Sequence, residues 1–339
     1  MNDPKDILRG LANGAPLQAG DFLIAISTMS SDEATLAQRT AFLSLLRARG
    51  ETVAEITGAA QLMRDMMVKV DAPIDAIDIV GTGGDGHGTY NISTCAAFVA
   101  AGAGVKVAKH GNRAVSSKSG ASDVLAALGV NLDAKPTVVT QAIDEAGVGF
   151  LWAPLYHPLM KVWAPARAEI GFRTMFNLLG PICNPAGVQR QVVGVFDQVW
   201  LAPVAEVLRN LGSTHALIVH GADGMDELTT TGVTNAAELK NGQIRAVRFT
   251  PEQAGLPRAK LADLTGGDAA TNAAALRAVL SGEPSAYRDI VLLNTAAALM
   301  VAGKAEDMSA GVTLAAAAID TGKAQAALDA LIRITNQGK

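Results

Sequence analysis

The spacing of hydrophobic residues along the chain changes near residue 72. Before that point, the stretch ETVAEITGAAQLMRDMM carries apolar residues at helical spacing behind Thr52 and Glu55, which have the spacing of a capping box. The stretch SSDEATLAQRTAFLSLLRARG follows a similar plan, from a Ser30–Glu33 capping-box spacing to a closing Gly50. Residues 1–72 are therefore predicted to form a small helical domain.

After residue 74, short β-branched runs alternate with alanine-rich helical runs. The predicted strands are IDAIDIV, GVKVAKHG, VGFLWAP, QRQVVGVF and HALIVHG, and the predicted helices between them are STCAAFVAAGAG, GASDVLAALG, KPTVVTQAIDEAG and LAPVAEVLRNLG. This alternation is typical of an α/β fold with a mostly parallel, doubly wound sheet. Asn241-Gly242 within AELKNGQIRAVRF predicts a hairpin and an antiparallel edge. We expect a larger α/β domain over residues 73–339, with the chain returning to the helical domain near residues 170–190.

Composition narrows the class of protein. The 339 residues are 49% hydrophobic and 18% charged, which is typical of a globular protein. The formal net charge of -4 gives no basic excess for a general nucleic-acid surface. Two distant cysteines, Cys95 and Cys183, indicate neither a disulfide framework nor a metal motif. The first residues lack the features of a signal peptide and no apolar run reaches the length of a membrane span, so a cytoplasmic setting is expected.

A glycine-rich stretch, GTGGDGHGTYNIST at residues 81–94, separates a predicted strand from a predicted helix. Glycines at the carboxyl end of a parallel strand let backbone N–H groups approach an anion, and the start of the helix adds its dipole. Asn91, Ser93 and Thr94 add more polar side chains than a simple N-cap requires. The stretch matches neither a phosphate-binding P-loop nor the dinucleotide fingerprint. We interpret it as an anion-binding loop for another kind of ligand.

The stretch KHGNRAVSSKSGASDVL, residues 109–125, follows the next strand and concentrates cations. Lys109 can bind phosphate as a point charge and Arg113 as a fork. The alternative is a solvated polar loop, which suits Lys118 better than Lys109 because Lys109 adjoins an apolar strand. Two anion-binding loops on consecutive strands predict a ligand with two separated phosphate groups.

Two further stretches supply a pair of acids and an arginine. Asp226 and Glu227 in GADGMDELTTTG offer the oxygen ligands that magnesium takes together with substrate phosphates, whereas adjacent acids alone are usually only solvated. Arg167 in YHPLMKVWAPARAEIGFRTMFNLLGP can hold a substrate carboxylate as a fork. The alternative is that Arg167 or Arg173 pairs with Glu169 along a helix. Three histidines have no evident partner and are assigned to core or surface: His87, His215 and His220.

Taken in order, these motifs resemble those of the anthranilate phosphoribosyltransferases. The resemblance is carried by GTGGDGHGTYNIST, KHGNRAVSSKSGASDVL, RTMFNLLGPICNP and DELTTTG, and by GGDAATNAAALRAVLSGE and RDIVLLNTAAAL near the C-terminus. The departures are small: Cys183 stands where a threonine is common, and Ala121 offers only its backbone where some relatives have a serine. The resemblance implies a helical domain beside an α/β domain, commonly in a homodimer. It also implies transfer of a phosphoribosyl group from 5-phosphoribosyl 1-diphosphate to anthranilate, with magnesium, in tryptophan biosynthesis.

The resemblance also implies site residues. The phosphoribosyl donor would be held by Gly81, Gly84, Asp85, Thr89, Asn91, Ile92, Ser93, Thr94, Lys109, His110, Gly111, Asn112, Arg113, Ala114, Val115, Ser116, Ser117 and Ala121. Anthranilate would be contacted by Asn112 and Arg167, with Gly81 at the junction of the two substrates and His110 and His157 as neighbours. Magnesium would be served by Ser93, Asp226 and Glu227. Because an aromatic amine is neutral at physiological pH and already nucleophilic, no residue is assigned as general acid or base.

Two other functions stay open at the level of sequence. A pyrimidine nucleoside phosphorylase would share the fold and a glycine-rich anion loop, but it should not need the KHGNR and DELTTTG motifs together. A non-catalytic relative that binds nucleic acid should show a basic excess and more than the 4% aromatic residues found here for base stacking.

Overall fold

The computed structural model describes residues 3–113 and 118–337. Four of the predicted donor-site residues, Ala114, Val115, Ser116 and Ser117, lie outside the described residues. No helix within the described ranges is both long and apolar enough to cross a membrane.

The N-terminal part is helical, as the spacing predicts. Its helices are α1 (Pro4–Ala12), α2 (Ala19–Ser30), α3 (Leu36–Arg49) and α4 (Val53–Met66). The capping box of α4 is present at Thr52 and Glu55, and α3 ends at Gly50, whose φ of 91° favours glycine.

The predicted Ser30–Glu33 capping box is wrong. Helix α3 begins at Leu36, and its capping box joins Thr35 and Gln38: the Gln38 N–H donates to Thr35 Oγ1 at 3.3 Å, and the Thr35 N–H donates to Gln38 Oε1 at 2.8 Å. Ser30 instead ends α2, where its hydroxyl donates to the Ile26 carbonyl. The sequence holds two S/T-x-x-E/Q spacings close together, at residues 30–33 and 35–38, and tertiary packing selects the second.

A seven-stranded sheet forms the centre of the molecule. Its strands are β1 (Ile77–Gly81), β2 (Val107–Gly111), β3 (Val148–Trp152), β4 (Arg190–Gly194), β5 (His215–Gly221), β6 (Thr234–Lys240) and β7 (Gln243–Phe249), in the order β3-β2-β1-β4-β5-β6-β7. The first five strands are parallel, and β6 and β7 add the antiparallel hairpin at Asn241-Gly242. The predicted α/β class and mostly parallel sheet are confirmed.

The remaining helices connect and cover the strands. They are α5 (Ile92–Gly102), α6 (Ala121–Ala127), α7 (Pro136–Glu145), α8 (Ala153–Tyr156), α9 (Pro158–Ile170), α10 (Phe176–Ile182), α11 (Leu201–Asn210), α12 (Ala269–Leu280), α13 (Ala286–Val301), α14 (Met308–Asp320) and α15 (Lys323–Thr335). Because side chains alternate along a strand, each strand serves two layers. In β5, Leu217 and Val219 join the core formed with α5 and α13, whereas Ala216 and Ile218 join the core shared with the N-terminal helices.

The chain returns to the N-terminal helices through α9 and α10. Trp163 of α9 is fully buried between Phe42 and Phe176, with ring centroids 5.9 and 5.1 Å away, and its indole N–H donates to Ser30 Oγ at 2.9 Å. The returning segment therefore includes residues before the expected range 170–190. The division of the chain at residues 72 and 73 stays a prediction, because this core is continuous with one face of the sheet.

Candidate functional site

The glycine loop, residues 81–91, connects the end of β1 to the start of α5. Four of its glycines have positive φ angles, 68°, 77°, 83° and 60° at positions 83, 84, 86 and 88. Non-glycine residues rarely adopt this conformation, so the loop depends on glycine to expose its backbone N–H groups. It delivers the chain to the N-terminus of α5, where the Asn91 side chain makes no capping bond and the helix dipole favours an anion.

Lys109 lies at the centre of the site, near the end of β2. Its ammonium group is buried and donates to the Ile79 carbonyl at 2.7 Å and to Ser93 Oγ at 3.4 Å. Burial lowers the pKa of Lys109, while the neighbouring carboxylates of Asp78, Glu227 and Asp226 favour the charged form. Lys109 is therefore held at the sheet edge by hydrogen bonds. The alternative, a solvated polar loop, would have left its ammonium group exposed to water.

The acidic loop, residues 221–232, brings two carboxylates to the same edge of the sheet. Asp226 Oδ2 accepts from the Gly83 N–H at 2.6 Å, and Glu227 Oε1 accepts from the Ser93 N–H at 3.2 Å. Burial raises the pKa of both acids, and the negative charges of Asp85 near Asp226 and of Asp226 near Glu227 raise them further. Two crowded, desolvated carboxylates can hold a cation.

Neighbouring hydroxyl groups hold the acidic loop in shape. Asp223 Oδ2 accepts from the hydroxyls of Thr229 and Thr231, each at 2.6 Å, and Asp223 Oδ1 accepts from the Met225 N–H at 3.1 Å. The threonines of the DELTTTG motif thus stabilise the loop. Nothing in their sequence spacing pointed to Asp223 as their common acceptor.

The glycine loop, the acidic loop and the residues at the end of β2 and after it surround one cavity of about 200 Å³, the first cavity. Every predicted donor-site and magnesium-site residue within the described ranges lines it: Gly81, Gly84, Asp85, Thr89, Asn91, Ile92, Ser93, Thr94, Lys109, His110, Gly111, Asn112, Arg113, Ala121, Asp226 and Glu227. The lining also includes Gly83, Tyr90 and Ser119, which the sequence did not single out. The structure therefore brings together residues that lie up to 146 positions apart, because parallel strands end at one edge of the sheet.

A second cavity, of about 350 Å³, adjoins the first. The two share residues 80–82 and 110–112, among them Gly81, His110 and Asn112, so the start of the glycine loop and the end of β2 form the boundary between them. Most of the remaining wall of the second cavity is apolar, from Met63, Ala153, Pro154, Met160, Ala164, Phe176 and Pro181. Its cationic side chains are Lys161 and Arg167.

Arg167 reaches this second cavity from α9. Its guanidinium carbon lies 5.7 Å from the ring centre of Phe176, and the residue is half-buried. No described ion pair joins Glu169 to Arg167 or Arg173, so the helical pairing considered from the sequence is wrong. Arg173 instead donates to the Gly84 carbonyl and lies 4.3 Å over the ring of Phe196.

Two buried histidines meet at the boundary of the cavities. His110 Nδ1 lies 2.9 Å from the Gly180 carbonyl, which can only accept, so this nitrogen carries the proton. His110 Nε2 is then the acceptor for the N–H of His157 Nε2 at 3.1 Å. Burial lowers the pKa of His110 to about 3 and of His157 to about 4, so both are neutral at pH 7. The pair is too weakly basic to serve as a strong general base.

Asp78 is a buried acid near the boundary of the two cavities that was not predicted from the sequence. The described pairing of β1 with β2 joins Ile77 and Val107, and beyond it the Asp78 side chain connects the two strands. Its carboxylate accepts from the His110 N–H at 3.1 Å and from Asn184 Nδ2 at 2.7 Å. Burial raises the pKa of Asp78 to about 6. A charged residue inside the apolar run IDAIDIV is the signal that could have identified it.

Two of the three histidines left without roles have structural surroundings. His215 Nε2 lies 3.2 Å from Glu238 on the neighbouring strand, and His220 Nδ1 lies 2.8 Å from the Val195 carbonyl. Both help to hold the sheet together away from the cavities.

Comparison with known proteins places the chain in a family. Family models described as the glycosyl transferase family a/b domain and helical bundle domain match residues 74–325 and 5–67. A Bradyrhizobium protein named anthranilate phosphoribosyltransferase is 57% identical over 336 residues, covering 99% of this chain and 100% of its own length. A Rhodopseudomonas palustris protein of the same name is 57% identical over 338 residues, covering 100% of both chains.

Solved structures similar to this chain carry the same protein name. The anthranilate phosphoribosyltransferase of Thermus thermophilus superposes with a TM-score of 0.92 at 42% identity, covering 97% of this chain and 99% of its own. The Saccharomyces cerevisiae enzyme in complex with PRPP and Mg superposes with a TM-score of 0.90 at 28% identity, covering 98% of this chain and 97% of its own.

Proposed function

We infer the reaction of this site from one premise: the chain belongs to the anthranilate phosphoribosyltransferase family. It transfers the phosphoribosyl group of 5-phosphoribosyl 1-diphosphate to the amine of anthranilate, releasing diphosphate, as a step of tryptophan biosynthesis. The observation that supports this most directly is the pair of adjoining cavities, one polar and one mainly apolar, that share Gly81, His110 and Asn112. Two substrates of opposite character can meet at that boundary.

The first cavity is proposed to bind the donor. The glycine loop and the start of α5 supply backbone N–H groups for one phosphate group, and Lys109 and Arg113 supply charge for another. The remaining residues assigned from the resemblance line the same cavity, except for residues 114–117, whose roles stay a prediction. Donors fixed in advance stabilise the negative charge that develops on the departing diphosphate.

Magnesium is proposed to bind at Asp226 and Glu227, with Ser93 nearby. These residues suit a cation because burial raises the pKa of both carboxyl groups, and a bound cation would offset the negative charge of their ionised forms. No group of three or more His, Cys, Asp or Glu side chains within residues 3–113 and 118–337 could hold a metal alone. Such a site suits Mg²⁺, which commonly takes one or two carboxylates and completes its shell with substrate oxygens and water. When bound, Mg²⁺ would neutralise charge on the diphosphate.

The second cavity is proposed to bind anthranilate. Its apolar walls suit an aromatic ring, and Arg167 is the group for the carboxylate, with Asn112, His110 and His157 near the junction. The amine would then lie toward Gly81 and the first cavity.

The mechanism follows from these positions. Loss of diphosphate leaves oxocarbenium character on the ribose, and the two neutral histidines at the boundary place no positive charge against it. Catalysis then depends on holding the neutral amine and the anomeric carbon together and on stabilising the leaving group. No general base is needed in this scheme.

The two alternative functions find no support in the comparisons. The relatives reported above carry one name, and it is neither a nucleoside phosphorylase nor a nucleic-acid-binding protein.

We also propose a homodimer in the cytoplasm. Both described cysteines, Cys95 and Cys183, are buried free thiols, as a reducing compartment allows. Exposed apolar side chains on the helical part, including Ile24 at 49% exposure, offer surface for a second copy. Light scattering coupled to size-exclusion chromatography would test the dimer, and a mass near 35 kDa would contradict it.

The reaction can be tested by following anthranilate fluorescence in the presence of the donor and Mg²⁺, with each omitted in turn. We expect the signal to fall only in the complete mixture. Calorimetry with the donor and Mg²⁺ is the companion measurement. If anthranilate persists in the complete mixture and the donor gives no heat at millimolar concentration, the assignment fails.

A further inference from the structure

One C-terminal motif has no role in the proposed function. The segment RDIVLLNTAAAL lies on α13, which runs through the core with 12 of its 16 residues buried. Asn294 is the polar centre of this segment and has no exposed surface. Burying an amide costs free energy unless its donors and acceptor find partners, so the partners of Asn294 show what it contributes.

The Asn294 side chain binds the backbone of a single residue on the acidic loop. Its Oδ1 accepts from the Leu228 N–H at 3.0 Å, and its Nδ2 donates to the Leu228 carbonyl at 2.8 Å. The second Nδ2 proton is directed to the Ile290 carbonyl at 2.9 Å, within α13 itself. The amide thus pairs with Leu228 as a neighbouring β-strand would, across 66 positions of sequence.

Leu228 directly follows the two acids proposed to serve magnesium. On the other side of these acids the loop is held by Asp223, and the Gly221 N–H donates to the Met225 carbonyl at 2.9 Å. Asn294 supplies the matching restraint after Glu227. Magnesium demands near-ideal octahedral geometry, so its affinity depends on how closely the backbone fixes its ligands.

We propose that Asn294 is a positioning residue that fixes the acidic loop and so sets the geometry of Asp226 and Glu227 for magnesium. The inference rests on the proposed function, because it takes these acids as the metal site. It adds a role for the RDIVLLNTAAAL segment: the buried helix anchors the cation-binding loop at the sheet edge.

The test compares Asn294→Leu with Thr295→Val in the full-length protein. Thr295 is the next residue of α13, is fully buried, and its hydroxyl has no hydrogen-bond partner among the described residues. Mn²⁺ binding is measured by electron paramagnetic resonance without substrates, and amide hydrogen exchange of residues 221–233 is measured without metal. The Mg²⁺ concentration for half-maximal activity is then determined at saturating donor.

We expect Asn294→Leu to weaken Mn²⁺ binding by about 10-fold or more, the range seen when groups behind metal ligands are removed. Exchange near Leu228 should accelerate, while exchange at residues 264–267 stays as in the wild type. The half-maximal Mg²⁺ concentration should rise in parallel, and Thr295→Val should match the wild type in each measurement.

Equal metal affinity and equal exchange in the two variants would overturn the proposal. If Asn294→Leu does not fold, Asn294→Ser replaces it, because a serine hydroxyl can still reach the Ile290 carbonyl but is too short for Leu228. A wild-type protein that consumes no anthranilate would refute the proposed function. A faster exchange near Leu228 in the Asn294 variant would still support the anchoring of the loop.

Discussion

Gly194 at the end of β4 is expected to control the proposed metal site through its close approach to the backbone of Asp226. A Cβ atom at Gly194 would lie 1.5 Å from the Asp226 carbonyl oxygen, whereas real Cβ contacts are essentially never below 3.0 Å. In the Gly194→Ala variant the new Cβ atom and this carbonyl must therefore separate by at least about 1.5 Å more, the gap between those two distances.

The surroundings of Asp226 leave little room for that movement. A Cβ at Gly81, the partner of Gly194 on the neighbouring strand β1, would meet Asp226 Oδ2 at 2.5 Å, so the carboxylate is already packed against the sheet. The loop is also held at Leu228 by Asn294. The strain must then displace the carboxylates or loosen the end of the sheet.

We expect Gly194→Ala to lower kcat by about 100-fold or more, because misplacement of a catalytic group by about 1 Å can cost that much. Overpacking should also lower the free energy of unfolding by about 1–3 kcal/mol. The assay is anthranilate fluorescence at saturating substrates across a Mg²⁺ titration, with thermal unfolding measured alongside.

Gly232→Ala is the matched control. It lies in the same acidic loop, has no positive φ, and a Cβ there would meet nothing within 4 Å. We expect its kcat to stay within about twofold of the wild type, since surface substitutions away from packed sites have small effects. A Gly194→Ala enzyme with wild-type kcat and an unchanged Mg²⁺ requirement would refute the reasoning.

Three further variants test separate parts of the molecule. Arg167→Ala should raise the KM for anthranilate about 10- to 100-fold while leaving donor binding in calorimetry mostly intact, because a charged hydrogen bond contributes about 1.5–3 kcal/mol. His157→Asn should reduce the loss of stability in acid: the pKa of His157 is about 4 in the folded protein against 6.5 for an ordinary histidine. Between these two pH values the histidine is protonated in the unfolded chain but not in the folded protein. The free energy of unfolding of the wild type therefore falls by about 3 kcal/mol as the pH falls from 6.5 to 4. Thr35→Ala should cost about 1 kcal/mol in urea unfolding, through loss of the N-cap of α3.

For each of these three variants, one result would contradict the expectation. A selective loss of donor affinity in Arg167→Ala would remove arginine from the anthranilate site. For His157→Asn, the wild-type minus variant difference in unfolding free energy must shrink between pH 6.5 and 4, and a constant difference would show that the folded histidine titrates normally. If Thr35→Ala unfolds like the wild type, the capping box does not stabilise α3.

Most of the secondary structure was predictable because it depends on local patterns. Every predicted strand of the parallel sheet overlaps an observed one, and the hairpin at Asn241-Gly242 follows from turn chemistry. The wrong prediction at Ser30 arose where two capping-box spacings follow each other closely. Choosing between them required Trp163, which lies 133 positions away and takes the Ser30 hydroxyl as its acceptor.

The candidate site was predictable to a different extent. Glycines, cations and acids at the ends of successive strands are visible in the sequence, because parallel strands bring their carboxyl ends to one edge. The supporting residues are not: Asp78, Asp223 and Asn294 act through hydrogen bonds to backbone groups far along the chain. A buried asparagine in an apolar helix has no sequence pattern that names its partner.

By itself the sequence determined the class of fold, the order of the elements, and the motifs that resemble one enzyme family. All of these depend on residue type and on spacing between residues that are close in sequence. Only the tertiary structure decided that His110 and His157 meet as a neutral pair, that Asp226 fits against Gly194, and that two cavities share a wall. Those features depend on distances between segments that are remote in sequence. Packing of the sheet against its helices sets these distances, and no local pattern encodes them.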